Sequence, residues 1–207
     1  MDVASAGAGA MIQPPDFEAL YGREHDPWRV GSSWYEQRKL AVVAATLRQP
    51  HYAAAWDPAC GTGHLARHLA SIADRVLATD GSARAIEISR ATCRGLANVE
   101  LQTCLLPSAP PDRGPFDLVV LSEFVYYLPP TERRAALDTV RRLSRPHAEV
   151  LAVHWRHRPH DAYASGEETQ REIVDDLSGH DWSHAVRHVD EHFVLDVMER
   201  PAGQQAR

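Results

Sequence analysis

Lysine is almost missing from this chain: Lys39 stands alone, and arginine carries the remaining basic charge. With 28 acidic against 22 basic side chains the formal charge is −6, so no broad basic footprint for nucleic acid is expected. Basic residues gather only in small groups, and Arg133-Arg134 with Arg141-Arg142 read as one solvated helix face. Cysteine is scarce too. Cys60, Cys93 and Cys104 make an odd set without metal-ligand spacing, which points to reduced thiols in a cytoplasmic protein. No stretch is long and apolar enough for a membrane span, and no internal repeat is visible. The first fifteen residues lack both a basic region and an apolar core, so they read as a disordered tail and not a signal peptide. A second tail is expected over 201–207. The residues between, 16–200, suffice for one α/β domain with a substantial core.

Twelve histidines invite a metal reading, and His180, His184, His188 and His192 are spaced by four. That spacing aligns ligands on a helix, but the segment from Trp182 to Asp190 reads as a strand, where it spreads them apart. No metal is expected.

The stretch from Tyr52 to His64 organises the rest. An apolar run ends in Asp57, a loop carries Gly61 and Gly63, and Leu65, Ala66, Leu69 and Ile72 then recur with helical spacing. Glycines without Cβ atoms let the chain turn sharply and let a ligand sit against the peptide itself. The second strand, from Arg75, ends in Asp80, placed to take both hydroxyls of a ribose. Gly61-x-Gly63-x-x-Ala66 also fits the dinucleotide pattern. An acid at the first strand tip, the glycines beside it and an acid at the second tip resemble motif I and its follower in class I S-adenosylmethionine (SAM) methyltransferases.

Strands are predicted near 53–57, 75–80, 99–104, 116–121 and 148–154, with helices near 64–73, 83–94 and 131–144. The run Leu118-Val119-Val120-Leu121 has the character of a parallel strand covered on both faces. Thr131 is an N-cap candidate after Pro129-Pro130, and Pro146 closes the helix. Ahead of the first strand, an aromatic arm over 16–35 covers the site. Ser33 and Glu36 then suggest a capping box for a helix that stops before Pro50. Ser165 and Glu168 suggest another box for a helix ending at Gly179. Two last strands, near 184–190 and 192–199, are separated by almost nothing and form a hairpin. A nicotinamide dehydrogenase would continue with parallel units. The expected fold is therefore α/β: a doubly wound, seven-stranded, Rossmann-like sheet resembling the methyltransferases, in order 3-2-1-4-5-7-6 with strand 7 antiparallel.

The strand ends bring Asp57, Asp80, Cys104, Ser122-Glu123 and His154 to one edge, where open α/β sheets bind ligands. Ala59, Gly81, Leu105 and Ser122, beside these tips, complete the expected cofactor contacts. The third strand of SAM enzymes usually ends in an acid for the adenine amino group. Cys104 stands there instead, which leaves adenine to backbone groups and apolar contacts.

Asp26-Pro27-Trp28-Arg29, the glycine loop, Phe116-Asp117-Leu118-Val119-Val120, and Glu123 with Tyr126-Tyr127-Leu128 together resemble the nodulation protein S family, SAM-dependent N-methyltransferases of chitooligosaccharide synthesis. The resemblance spans roughly residues 16 to 155. It implies methyl transfer to the free amine of a de-N-acetylated glucosamine. It also implies that Arg29 pairs with the SAM carboxylate, and that Trp28, counted with Arg29 among the cofactor contacts, borders the site with the two tyrosines.

On the residues' own terms, Glu123 or His154 is placed to take a proton from an amine or to orient its lone pair. The rings of Tyr126 and Tyr127 suit a sugar's apolar faces. The expected catalytic set is Glu123, Tyr126, Tyr127 and His154. No inserted substrate domain is expected, so the acceptor, a small molecule or an oligosaccharide, falls to the arm and to loops near 122–130 and 155–166. Two other readings stay open: O-methylation of a small secondary metabolite, with His154 weighing more than Glu123, and a SAM-binding protein without catalysis.

Overall fold

The computed structural model describes residues 14–110 and 114–202. The expected tails lie outside these residues except at 14–15 and 201–202. Seven strands form one sheet: β1 (Ala55–Asp57), β2 (Val76–Asp80), β3 (Val99–Thr103), β4 (Phe116–Ser122), β5 (Ser144–Trp155), β6 (Ser183–Val189) and β7 (Phe193–Glu199). Their order is β3-β2-β1-β4-β5-β7-β6, as expected. The first five run parallel and β7 is antiparallel to both neighbours.

Period-two alternation explains why the sheet is covered twice. In β4, Leu118 and Val120 face one layer while Val119 and Leu121 face the other, and all four are buried. The first layer holds α2 (Trp34–Thr46), α3 (His64–Leu69) and α4 (Ala83–Thr92), contributing Val43, Ala66, Leu69 and Ile86. The second holds α5 (Pro130–Leu143) and α6 (Gly166–Ser178), whose Leu137, Val140, Ile173 and Leu177 pack on Trp56 and Phe116. Those two rings stack at 5.4 Å, and truncating either would cost about 3–5 kcal/mol.

Several local expectations change. The arm holds a helix that was not among those expected: Phe17–Arg23 forms α1, capped by Asp16, whose carboxylate accepts from the Ala19 N–H at 3.0 Å. Ser33 is the N-cap of α2 but its side chain makes no capping bond, and the Glu36 side chain turns to Lys39. The Ser165–Glu168 box is fully formed. Pro129, not Thr131, is the N-cap of α5. Pro146 lies inside β5, since residues from Ser144 onward already pair with β4.

The arginine pairs on α5 are not a purely solvated face. Arg133 is buried and donates to Glu172 at 2.7 Å and to the Leu128 carbonyl at 2.8 Å, while Arg141 pairs with Asp138 and Asp176. In the closing hairpin, His184 and Arg187 of β6 reach the buried Asp196 of β7 at 2.7 and 3.3 Å. Among the described residues, no helix is long and apolar enough to cross a membrane.

Candidate active site

Asp57 ends β1 with 1% of its surface exposed, and neither carboxylate oxygen has a hydrogen-bond partner. Burial, with the charge of Asp80 added, pushes its carboxyl up to about 8. The Ala59 N–H pulls the other way but falls short of a hydrogen bond. A buried carboxylate without a partner fits a cation such as the ammonium of a bound amino acid.

Next to it the chain turns through Gly61 (φ +50°) and Gly63 (φ +82°), conformations that disfavour any residue with a Cβ. A Cβ on Gly61 would also stand 2.8 Å from the Tyr21 hydroxyl, and one on Gly63 would stand 2.9 Å from Ser89 Oγ. Ser89 donates to the Gly61 carbonyl at 2.7 Å and so holds the turn from α4.

Asp80 closes β2 and belongs to the same loop. Its two oxygens accept from the Gly61 and Ser82 N–H groups, each at 2.9 Å. Burial raises its carboxyl and these bonds oppose the rise, leaving it above the ordinary value. Each oxygen keeps lone-pair directions for a diol. Cys104 lies just past the end of β3, its N–H bonded to the Asp80 carbonyl at 2.9 Å. Leu105 is exposed and covers Gly81, where a Cβ would meet it at 2.9 Å. The end of β3 thus offers an apolar surface beside Gly81 where the resemblance to SAM enzymes calls for an acid. Ala59 and Ser122 are half-buried at the same edge.

The arm folds over this edge. Asp26 accepts from the Val30 and Gly31 N–H groups at 2.8 and 2.9 Å, and Arg29 takes a φ of +56°, so Asp-Pro-Trp-Arg is a tight turn. Gly31 sits against the His64 ring at the start of α3, and Arg29, two residues before it, is exposed. From the arm an unbroken row of rings crosses the edge. Tyr21 meets Trp28 at 5.8 Å, Trp28 meets Phe17 at 6.3 Å, and Phe17 meets Tyr127 at 5.2 Å. Tyr127 meets Tyr126 at 4.7 Å and Tyr126 meets His154 at 5.2 Å.

Glu123 stands at the far end of β4 with φ +60°, a strained backbone for a glutamate. Three donors from three elements converge on it: Lys39 Nζ at 2.6 Å, the Tyr126 hydroxyl at 2.7 Å and the Trp155 N–H at 2.7 Å. Burial alone would raise its carboxyl, but Lys39 leads the opposing effects and the net direction is downward. Tyr126 and Tyr127 are pushed up, chiefly by burial, so both keep their protons. His154 is fully buried, with both ring nitrogens unpartnered, and desolvation lowers it to about 4.

The edge therefore gathers Asp57, Ala59, Gly61, Gly63, Asp80 and Gly81 on one side and Glu123, Tyr126, Tyr127 and His154 on the other, with the arm between them. Two groups escaped the sequence reading. Tyr21 faces the glycine loop, and Lys39 with Glu36 sits against Glu123. The one available signal was that Lys39 has no lysine companions.

The seven-stranded order, with acids and glycines at its carboxyl edge, is that of a class I methyltransferase, and residues 55–147 match the methyltransferase domain family. The chain is 30% identical over 104 residues to Nodulation protein S of Bradyrhizobium diazoefficiens, covering 50% of this chain and only 49% of that protein. Among solved structures, N-methyltransferase NodS from Bradyrhizobium japonicum WM9, in complex with S-adenosylhomocysteine (SAH), superposes with a TM-score of 0.73. It is 20% identical and aligns over 90% of this chain and 100% of that one. A DhpI–SAH complex gives 0.69 at 26% identity over 91% and 94%. SAM is the methyl donor of this class. The orphaned carboxylate of Asp57 and the glycine cradle fit it.

Proposed function

We propose that this domain methylates the free amine of an amino sugar, and that the deacetylated end of a chitooligosaccharide is the acceptor to test first. The observation that carries this reading is the acid excess beside the tyrosines. Glu36 and Glu123 share the single ammonium of Lys39, with Asp26 within electrostatic reach of Glu36 and Asp161 within reach of Tyr127. Such a surface favours a cationic acceptor over an anionic one. The exposed rings of Trp28 and Trp155 add flat apolar faces suited to a sugar. With all three cysteines free, a reducing, cytoplasmic setting suits the chain.

When bound, SAM supplies a sulfonium methyl, and the protein's work is alignment and exclusion of water. Asp57, Gly61 and Gly63 would hold the methionine end, Arg29 its carboxylate and Asp80 the ribose. Gly81, Cys104 and Leu105 would hold the adenine, with Ala59 and Ser122 alongside. Glu123, held ionised by its three donors, accepts an N–H of the acceptor and aims the lone pair. Tyr126 fixes that carboxylate, and Tyr127 and Trp28 border the sugar.

A second reading sends the methyl to a hydroxyl or carboxyl of a small metabolite. The unpartnered ring nitrogens of His154 favour it and the complete burial of that ring opposes it. Methyl-labelled SAM offered with amino sugars and with their N-acetylated and hydroxylated counterparts separates the two. Label on the free amines alone supports the first reading, and label only on oxygen acceptors overturns it. Glu123→Gln is expected to lower turnover while SAH affinity, measured by calorimetry, stays unchanged.

A further inference from the structure

The cluster around Lys39 contains a carboxylate to which no role above is given. Glu36 lies one helical turn before Lys39 on α2 and presents both oxygens to its ammonium, at 3.0 and 2.9 Å. Glu123 approaches the same ammonium at 2.6 Å. One buried cation thus serves two acids, and a negative charge is left over.

The two acids are not equivalent. Glu123 has three donors, while the only partner of the Glu36 carboxylate among the described residues is Lys39. The groups facing Glu36 are Lys39 and Tyr35 on its own helix, Glu123 past the end of β4 and Asp26 in the arm. Burial and these two like charges outweigh the lysine and raise the Glu36 carboxyl, the opposite of the direction at Glu123. The Glu36 side chain keeps 13% of its surface, so it is sheltered without being sealed. His154 is sealed, and Tyr126 and Tyr127 already hold protons.

Resting on the amine reading above, we propose that Glu36 is the group that receives the proton of the incoming ammonium. An N–H bond of the acceptor breaks, the proton passes to a Glu36 oxygen, and the electron pair stays on nitrogen. That pair then forms the new N–C bond as the donor's C–S bond breaks, so the positive charge moves from sulfur to nitrogen. Glu36 returns its proton to solvent as the methylated ammonium leaves. Lys39 keeps Glu123 ionised beside it, so the pair divides the labour: one acid orients the amine while its neighbour accepts the proton.

The test compares wild type with Glu36→Gln, using methyl-labelled SAM and the disaccharide of glucosamine across a range of pH. Near neutrality the variant should lose about 100-fold in kcat with little change in KM. The loss should shrink once the pH passes the amine's own pKa, because the acceptor then arrives neutral. SAH binding by calorimetry checks that the variant folds. An equal loss at every pH would remove the role of Glu36, whereas a wild type that labels no amine would remove the reading beneath it.

A second readout is independent of turnover. Protein labelled with 15N-lysine gives one side-chain signal, from Lys39. It should shift as Glu36 titrates above the ordinary carboxylate range in wild type and lose that step in Glu36→Gln. A wild-type signal that stays flat there overturns the proposal, even should the variant fail to fold.

Discussion

Ser82 Oγ donates a hydrogen bond to Glu18 at 2.6 Å, tying the arm helix to the N-cap of α4. The Arg84 N–H reaches the same carboxylate oxygen at 3.2 Å, and together these bonds hold the Glu18 carboxyl below its ordinary value. Tyr21, one turn along the same helix, covers the glycine loop. Glu18→Ala should therefore loosen the arm, speed tryptic cleavage at Arg23 and weaken SAH binding a few-fold. Unaltered cleavage and affinity would show that the arm is held by its rings alone.

Asp57 should announce cofactor binding by losing a proton. Its carboxyl, pushed up to about 8 with no partner, is largely protonated at neutral pH, and an ammonium placed against it restores the charge. Calorimetric titration with SAH, repeated in buffers of different ionisation enthalpy, should reveal proton release that Asp57→Asn abolishes. The sign for stability follows. A raised carboxyl stabilises most below the unfolded value and loses that contribution as pH climbs through about 8. Asp57→Asn should gain on wild type across that window in thermal melts.

Asp80→Ala removes the acceptor for two loop N–H groups as well as the proposed ribose contact. SAH affinity should fall by about 10- to 100-fold, the range for losing hydrogen bonds to a charged group. A variant that titrates like wild type would refute the assignment.

His154 predicts an acid limb. Its ring, lowered to about 4 by burial, contributes stability above the unfolded value near 6.5, and that contribution fades as pH falls toward 4. The whole effect amounts to roughly 3 kcal/mol. His154→Phe should flatten the fall in urea midpoints over that interval, and identical slopes for the two proteins would contradict it.

What the sequence disclosed, and what it hid, follows the range of the interactions. The edge of acids and glycines was readable because strand, turn and helix lie within about twenty-five residues of one another. So was the hairpin, whose connection is short, and the Ser165 capping box, which is closed by neighbours three apart. Ser33 and Glu36 have that same spacing and yet form no box. Glu36 is drawn to Lys39, and Lys39 is fixed by Glu123, eighty-four positions away. Arg133 likewise looks solvated until Glu172 arrives from another helix. The arm hid its helix because Phe17 finds Tyr127, and Tyr21 finds the glycine loop, only after the chain has come back. Local chemistry was legible, and the wiring between distant charges was not.

The hairpin that closes the sheet has a consequence of its own. Its outer strand, β6, is polar along most of its length, and the inward reach of His184 and Arg187 to Asp196 leaves polar groups guarding the edge of the sheet. A neighbouring molecule that tried to extend the sheet there would have to strip water from the imidazole and the guanidinium. The rim is thereby defended against strand-to-strand aggregation.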